Sequence, residues 1–139
     1  MDLSFTEEDH AFQKEVRDWI AENYSDELKA RNAMSKNGYL DKDGIIEWQR
    51  KLDDKGWFVA NWPEEFGGPG LSAGQRYILN MEMAAAGTPT TSPMGKSMVA
   101  PVIMSCVNDA QYAYHLPKVK RSEIWGFLGY SEPGSGSVL

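Results

Sequence analysis

Apolar residues recur at helical spacing through most of the chain. Thr6 is a good N-cap followed by three acidic residues, and the apolar stripe after it predicts an amphipathic helix. Its members are Phe12, Val16, Trp19, Ile20 and Tyr24. We interpret Asp43 as the cap of a later helix, which ends near Gly56, where a left-handed residue is expected. Its buried stripe is Ile45, Trp48 and Leu52.

The second half continues the helical pattern. Ser72 with a glutamine three residues later predicts a capping box, and Asn108 starts a last helix that we expect to end at Pro117. Residues 96–107 are apolar enough to predict a buried helix, which Pro101 must either start or kink. The predicted inner face after Ser72 is Tyr77, Ile78, Met81, Ala84 and Ala85. The predicted common core is Phe12, Val16, Trp19, Ile20, Trp48, Leu52, Ile78 and Met81.

These patterns predict an all-α fold, an up-and-down bundle of about five or six helices with a short β/loop remnant at the C-terminal end. The remnant begins with the apolar and aromatic run Ile124–Tyr130, which favours a strand. Gly134 and Gly136 then alternate with Ser135 and Ser137. Exposed backbone N–H groups and hydroxyls suit a phosphate or the polar edge of a cofactor ring. A polar turn after an edge strand explains the same residues.

Composition narrows the function classes. The net charge of −6, from 20 acidic and 14 basic residues, argues against nucleic acid binding. The single cysteine, Cys106, allows no intrachain disulfide and is interpreted as a small buried apolar residue. No apolar run is long enough to span a membrane, and the acidic Met1–His10 is not a signal peptide, so a cytoplasmic location is expected. The two histidines, His10 and His115, are too far apart in sequence to indicate a metal site.

Two motifs resemble those of a known enzyme family. Tyr130–Ser137 reads Tyr-Ser-Glu-Pro-Gly-Ser-Gly-Ser and is similar to the acyl-CoA dehydrogenase signature [Thr/Ser]-Glu-Pro-x-Ala-Gly-Ser-Asp. Trp62–Gly70 is similar to that family's Pro-Glu-Glu-[Tyr/Phe]-Gly-Gly-x-Gly loop. Ala100–Ile103 and His115–Lys118 also resemble the family. The resemblance therefore extends over nearly the whole chain.

The resemblance implies a domain organisation and a reaction. Residues 1–122 would be the N-terminal helical domain, and residues 123–139 the first strand and flavin loop of a middle β domain. Family members of this kind bind FAD and oxidise acyl-CoA thioesters by α,β-dehydrogenation in fatty acid metabolism, with a glutamate of a C-terminal bundle as base. Glu132 is a motif residue and not that base. Ser135 replaces the usual Ala and Val138 replaces the usual Asp.

By the same resemblance, Leu128 and Tyr130 would contact FAD through backbone groups and Ser131 through its hydroxyl. Gly136 and Ser137 would supply loop contacts, and Ser137 would also lie near the acyl-CoA. No catalytic residue is expected in this chain, so it is expected to be inactive as an isolated fragment. For a full-length homologue, electron-transfer flavoprotein would be a possible partner.

Two other functions stay open. The chain could be a non-catalytic helical interaction module, in which the exposed Ile124–Tyr130 strand makes it self-associate. It could also be the same domain from an acyl-CoA oxidase or a flavin monooxygenase, because these enzymes share it. Retained flavin distinguishes an enzyme fragment from an interaction module, since only the former needs the cofactor.

Overall fold

The computed structural model describes residues 4–35, 38–127 and 129–136. These residues contain six α-helices, which confirms the predicted all-α fold. The helices are α1 (Glu7–Asn23), α2 (Asp26–Ala33), α3 (Lys42–Asp54), α4 (Ala73–Ala85), α5 (Ala100–Cys106) and α6 (Asp109–Lys120). A 3₁₀ turn, Glu64–Phe66, precedes α4, and a π-helical turn, Met94–Val99, runs directly into α5. The chain divides into two compact units, Met1–Thr91 and Ser92–Leu139.

Aromatic side chains form the core of the first unit. Trp48 is 1% exposed, and its ring centroid lies 5.5 Å from those of both Trp19 and Tyr24. Trp57 packs edge-on against Trp19 and Phe12, at 5.3 and 5.7 Å. Of the eight residues predicted to form one core, six are buried, whereas Trp19 and Met81 are only half-buried. The apolar run after Gly56 is also buried: Trp57, Phe58, Val59 and Trp62.

Local hydrogen bonds fix most helix starts where the sequence places them. Thr6, Ser72 and Asn108 each form a capping box with the residue three positions on. The predicted cap at Asp43 is wrong, because Asp41 is the N-cap of α3 and accepts the Gly44 N–H at 2.8 Å. Asp43 lies instead in the first turn, where its charge suits the positive end of the helix.

Gly56 ends α3 as predicted. Its φ of +82° allows its N–H to donate to Asp53 O, while the Trp57 N–H donates to Leu52 O, both at 2.8 Å. This pair of bonds is a Schellman motif, which satisfies carbonyls that the last helical turn leaves open. The motif turns the chain back toward the core, where Trp57 is buried.

The inner face of α4 differs from the predicted one. Its buried residues are Ile78, Leu79 and Glu82, whereas Tyr77 is 60% exposed and Ala84 and Ala85 are exposed. Glu82 is buried because α1 supplies its partners. Arg17 Nε and Nη2 donate to the two Glu82 carboxylate oxygens at 2.8 and 2.9 Å, and Gln13 Nε2 donates to Oε1 at 2.6 Å. The two hydrogen bonds from Arg17 offset the cost of burying the Glu82 carboxylate. The buried face of α4 therefore depends on an ion pair with α1, which the spacing of apolar residues does not predict.

In the second unit, α6 continues beyond its predicted end. Pro117 lies inside the helix and removes one backbone donor, yet the helix runs to Lys120. Leu116 and Val119 are buried on either side of it, so side-chain packing compensates for the missing bond. The end is a Schellman motif around Ser122, the one described non-glycine residue with positive φ, at 56°.

The predicted C-terminal strand does not form in the described residues. Residues 124–127 and 129–131 belong to no β-ladder, and the one β-bridge in the described chain joins Glu132 and Ser135. A strand needs a neighbour to satisfy its backbone, and no described segment provides one. Among the described residues, no helix is both long and apolar enough to cross a membrane.

Candidate functional site

The segment that follows α6 exposes a series of large apolar side chains. Phe127 is 86% exposed, Tyr130 is 85% exposed and Trp125 is 44% exposed. Among the described residues, the backbone of Trp125–Phe127 forms no hydrogen bond with another backbone group. Apolar side chains exposed next to open backbone groups are typical of a binding surface.

A tight turn ends this segment. The Glu132 N–H donates to Ser135 O at 2.9 Å, and the Ser135 N–H donates back to Glu132 O at 3.1 Å. Pro133 and Gly134 occupy the bend. A Cβ added to Gly134 or Gly136 would meet no atom within 4 Å, and no hydrogen bond within the described chain uses their amides. The turn therefore holds two glycine N–H groups accessible to an anion or a ring carbonyl.

The structure places three of the five predicted cofactor residues in this turn region. Tyr130, Ser131 and Gly136 are exposed and flank the Glu132–Ser135 bridge. Leu128 and Ser137 lie outside the described residues. The exposed backbone and the Ser131 hydroxyl offer the donors that the sequence analysis expects, and their assignment to FAD remains a prediction.

The upstream glycine-rich loop has a structural role. A Cβ on Gly68 would lie 1.8 Å from the Trp62 carbonyl oxygen, and one on Gly70 would lie 2.6 Å from Glu64 Oε1. The Gly68 N–H donates to Pro63 O at 3.0 Å, which closes the loop on itself. A side chain at Gly68 or Gly70 would clash with these atoms, which explains why the motif has glycine at both positions. The loop thus folds back on its own backbone.

Sequence reasoning missed Lys96. This lysine lies in the π-helical turn, and its side chain is half-buried. Burial lowers the pKa of its ammonium to about 8. The one signal in the sequence was an apolar run interrupted by Pro101, which indicated irregular helix geometry without indicating its form.

The basic residues before the terminal segment, Lys118, Lys120 and Arg121, are part of α6 and of its C-terminal end. The Lys118 ammonium lies 3.7 Å from the Tyr114 ring centroid, a cation–π contact on the surface of α6. The Tyr114 ring also meets His115 edge-on at 4.9 Å.

Cys106, at the end of α5, is exposed, so the prediction that it is buried is wrong. No group of three or more metal-ligating side chains occurs among the residues that the structure describes.

Comparison with known proteins identifies the helical part. A family model described as acyl-CoA dehydrogenase, N-terminal domain, matches residues 6–123. The chain belongs to the acyl-CoA dehydrogenase family. The matched range contains all six helices and the glycine-rich loop, and it ends before the exposed terminal segment.

Mycobacterial acyl-CoA dehydrogenases are among the similar proteins. The chain is 30% identical over 139 residues to acyl-CoA dehydrogenase FadE26 of Mycobacterium tuberculosis, and the match covers 100% of this chain and 34% of FadE26. It is 32% identical over 133 residues to acyl-CoA dehydrogenase IpdE1 of the same organism, covering 92% of this chain and 34% of IpdE1. The chain therefore spans about a third of the length of these relatives.

Two solved structures share the fold. The ChsE4–ChsE5 complex from Mycobacterium tuberculosis matches with a TM-score of 0.72 and 31% identity, covering 98% of this chain and 34% of the solved one. The Tcur3481–Tcur3483 steroid ACAD matches with a TM-score of 0.73 and 28% identity, with the same coverage. Both alignments reach beyond residue 123, since they cover 98% of the chain.

Proposed function

We propose that this chain is the N-terminal part of an FAD-dependent acyl-CoA dehydrogenase that introduces a double bond between the α and β carbons of an acyl-CoA thioester. The family assignment supports the reaction class. The observation that carries the proposal for this chain is the exposed terminal turn, with open glycine amides beside exposed aromatic side chains.

The residues of the turn fit the edge of a flavin. The amides of Gly134 and Gly136 donate to no described backbone group, and both residues are exposed. We assign backbone contacts to Tyr130 and Gly136 and a hydroxyl contact to Ser131, with Leu128 and Ser137 as further contacts and Ser137 near the acyl-CoA. When bound, FAD supplies the hydride acceptor. This chain positions the flavin edge and excludes water with its aromatic side chains, and we assign the proton-abstracting base to none of its residues.

The substrate and the partners are also proposals. Acyl-CoA follows from the family, and one of the similar solved proteins is a steroid ACAD, so a steroid-linked acyl-CoA should be tested beside straight-chain ones. The other solved structure is a complex of ChsE4 with ChsE5, so we propose that the full-length protein works in a multi-subunit assembly. Electron-transfer flavoprotein is the proposed electron acceptor.

A titration of the purified chain with FAD, followed by flavin fluorescence, tests the assignment. We expect binding, and we expect Ser131→Ala to weaken it by about two- to tenfold, the effect of losing one neutral hydrogen bond. Ser105→Ala is the matched control, because its hydroxyl donates to Pro101 O within a helix of the same unit, away from the turn. If the two variants bind FAD with equal affinity, the Ser131 hydroxyl does not contact the cofactor.

A chimera provides a second measurement that does not depend on a partial site. Replacing the matched first third of FadE26 with this chain should give acyl-CoA-dependent reduction of an electron acceptor. The same chimera carrying Ser131→Ala should be less active than one carrying Ser105→Ala. A folded chimera without activity, together with no FAD binding by the isolated chain, would favour the alternative of a non-catalytic interaction module, for which the exposed apolar segment is the supporting observation.

A further inference from the structure

The π-helical turn Met94–Val99 contacts two other parts of its unit. Such turns are rare, and they are frequent at functional sites. A Cβ on Gly95 would lie 3.1 Å from Val119 Cγ1, so α6 packs directly against the turn. After α6 the chain reverses direction at Ser122, whose φ is 56°, and the segment that follows returns to the same turn.

Gly126 is the residue at which the returning segment meets the turn. A Cβ on Gly126 would lie 2.7 Å from Val99 Cγ2, 3.6 Å from Val99 Cβ and 3.8 Å from Gly95 Cα. The first of these distances is well below the optimum of about 3.5–4.0 Å between two carbon atoms. Valine is branched at Cβ and strongly prefers one χ1 rotamer in a helix, so its methyl group cannot easily rotate away. Glycine at position 126 therefore allows the segment to lie this close to the turn.

The contact lies in the middle of the candidate site's apolar part. Trp125 and Phe127, the chain neighbours of Gly126, are 44% and 86% exposed. Ser131 is five residues further on, which is at most about 18 Å of extended chain. Among the described residues, Trp125–Phe127 forms no hydrogen bond with another backbone group, so no β-ladder fixes its position. Its position relative to the helices therefore depends on packing such as that between Gly126 and Val99.

We propose that Gly126 is a positioning residue, which holds the segment after α6 against the π-helical turn and so places the Glu132–Ser135 turn and its neighbouring aromatic side chains for FAD. The proposal rests on the proposed function for the identity of the ligand, whereas the contact itself involves no flavin. Gly126 has no side chain that could touch FAD, so it acts through the residues on either side of it.

An engineered disulfide tests the contact without flavin. The 3.6 Å between a Cβ on Gly126 and Val99 Cβ lies within the range of about 3.5–4.5 Å that a disulfide requires. The full chain carrying Val99→Cys and Gly126→Cys, with Cys106→Ser to remove the native thiol, should oxidise readily to an intramolecular disulfide, measured by peptide mass spectrometry. The matched control replaces Gly129 instead of Gly126, because a Cβ on Gly129 would meet no atom within 4 Å. Equal rates of oxidation for the two pairs would overturn the proposal.

Substitutions at the contact test its effect on the cofactor. Gly126→Ala should displace the segment and weaken FAD binding by at least about fivefold in the flavin-fluorescence titration, because hydrogen bonds and ring contacts depend steeply on distance. Val99→Ala removes the methyl group that the added Cβ would meet, so the double variant should recover most of the lost affinity. Val99→Ala alone is the control and should bind FAD as wild type does. A loss caused by general destabilisation would instead be larger in the double variant, since independent effects add.

The two measurements separate the possible failures. If Gly126→Ala binds FAD as tightly as the wild-type chain, or if Val99→Ala does not rescue it, Gly126 does not position the site and the proposal is wrong. If the wild-type chain itself binds no FAD, the proposed function fails, and the disulfide experiment still decides whether Gly126 holds the segment against the turn.

Discussion

Gly68→Ala tests whether the glycine-rich loop is needed for the fold. The added Cβ would lie 1.8 Å from the Trp62 carbonyl oxygen, 2.5 Å from its carbon and 3.0 Å from Pro63 O. All three atoms are backbone, so the clash cannot be relieved by rotating a side chain. The loop would have to open by roughly 1 Å or more, which would move the buried Trp62 and break the Gly68 N–H bond to Pro63 O.

The expected loss follows from these changes. Forcing extra volume into a packed site costs about 1–3 kcal/mol, and a lost backbone hydrogen bond adds about 1 kcal/mol. We therefore expect Gly68→Ala to lower the free energy of unfolding by about 3 kcal/mol. With a urea m-value of about 2 kcal/mol/M, the midpoint would fall by about 1.5 M.

Urea unfolding followed by tryptophan fluorescence measures this loss, because Trp57 and Trp62 lie next to the loop in sequence and are buried. Gly129→Ala is the matched control, since its Cβ would meet no atom within 4 Å, and it should change the stability by less than about 0.5 kcal/mol. If Gly68→Ala unfolds at the same urea concentration as Gly129→Ala, the loop is not constrained by the close approach to Trp62.

Two further predictions concern Glu82 and the terminal segment. The hydrogen bond from Arg17 lowers the pKa of Glu82. The pair therefore stabilises the folded state fully at pH values above the ordinary pKa of a glutamate, and this stabilisation is lost as the pH falls through the lowered pKa. The difference in urea midpoint between wild type and Glu82→Gln should therefore be largest near neutral pH and shrink in acid; the exposed Glu65→Gln should show no such trend. Deleting the residues after Glu123 should reduce self-association in light scattering and leave the helical circular dichroism signal intact, because the Glu123 N–H that closes α6 is kept. Equal association by the intact and shortened chains would locate the self-association in the helices.

The helices were predictable because their signals are local. A capping box such as Thr6 with Asp9 and a left-handed C-terminal residue such as Gly56 each act within a few residues of the chain. The errors occurred where distant residues decide the outcome. Arg17 of α1 pairs with Glu82 of α4, 65 residues away, and so allows Glu82 to be buried. The packing of Leu116 and Val119 allows α6 to continue past Pro117. The spacing of apolar residues along the sequence predicts neither the ion pair nor the continuation of α6.

The candidate site was less predictable than the fold for a related reason. The run Ile124–Tyr130 has strand-forming side chains, but a strand forms only when another strand satisfies its backbone, and the described chain supplies none. The turn at Glu132–Ser135 forms because it needs only its own two hydrogen bonds. Likewise, the lowered pKa of Lys96 arises from burial in the folded unit, which its neighbours in sequence do not reveal. The sequence thus specifies which groups are available for binding, whereas their reactivity and order depend on what packs against them.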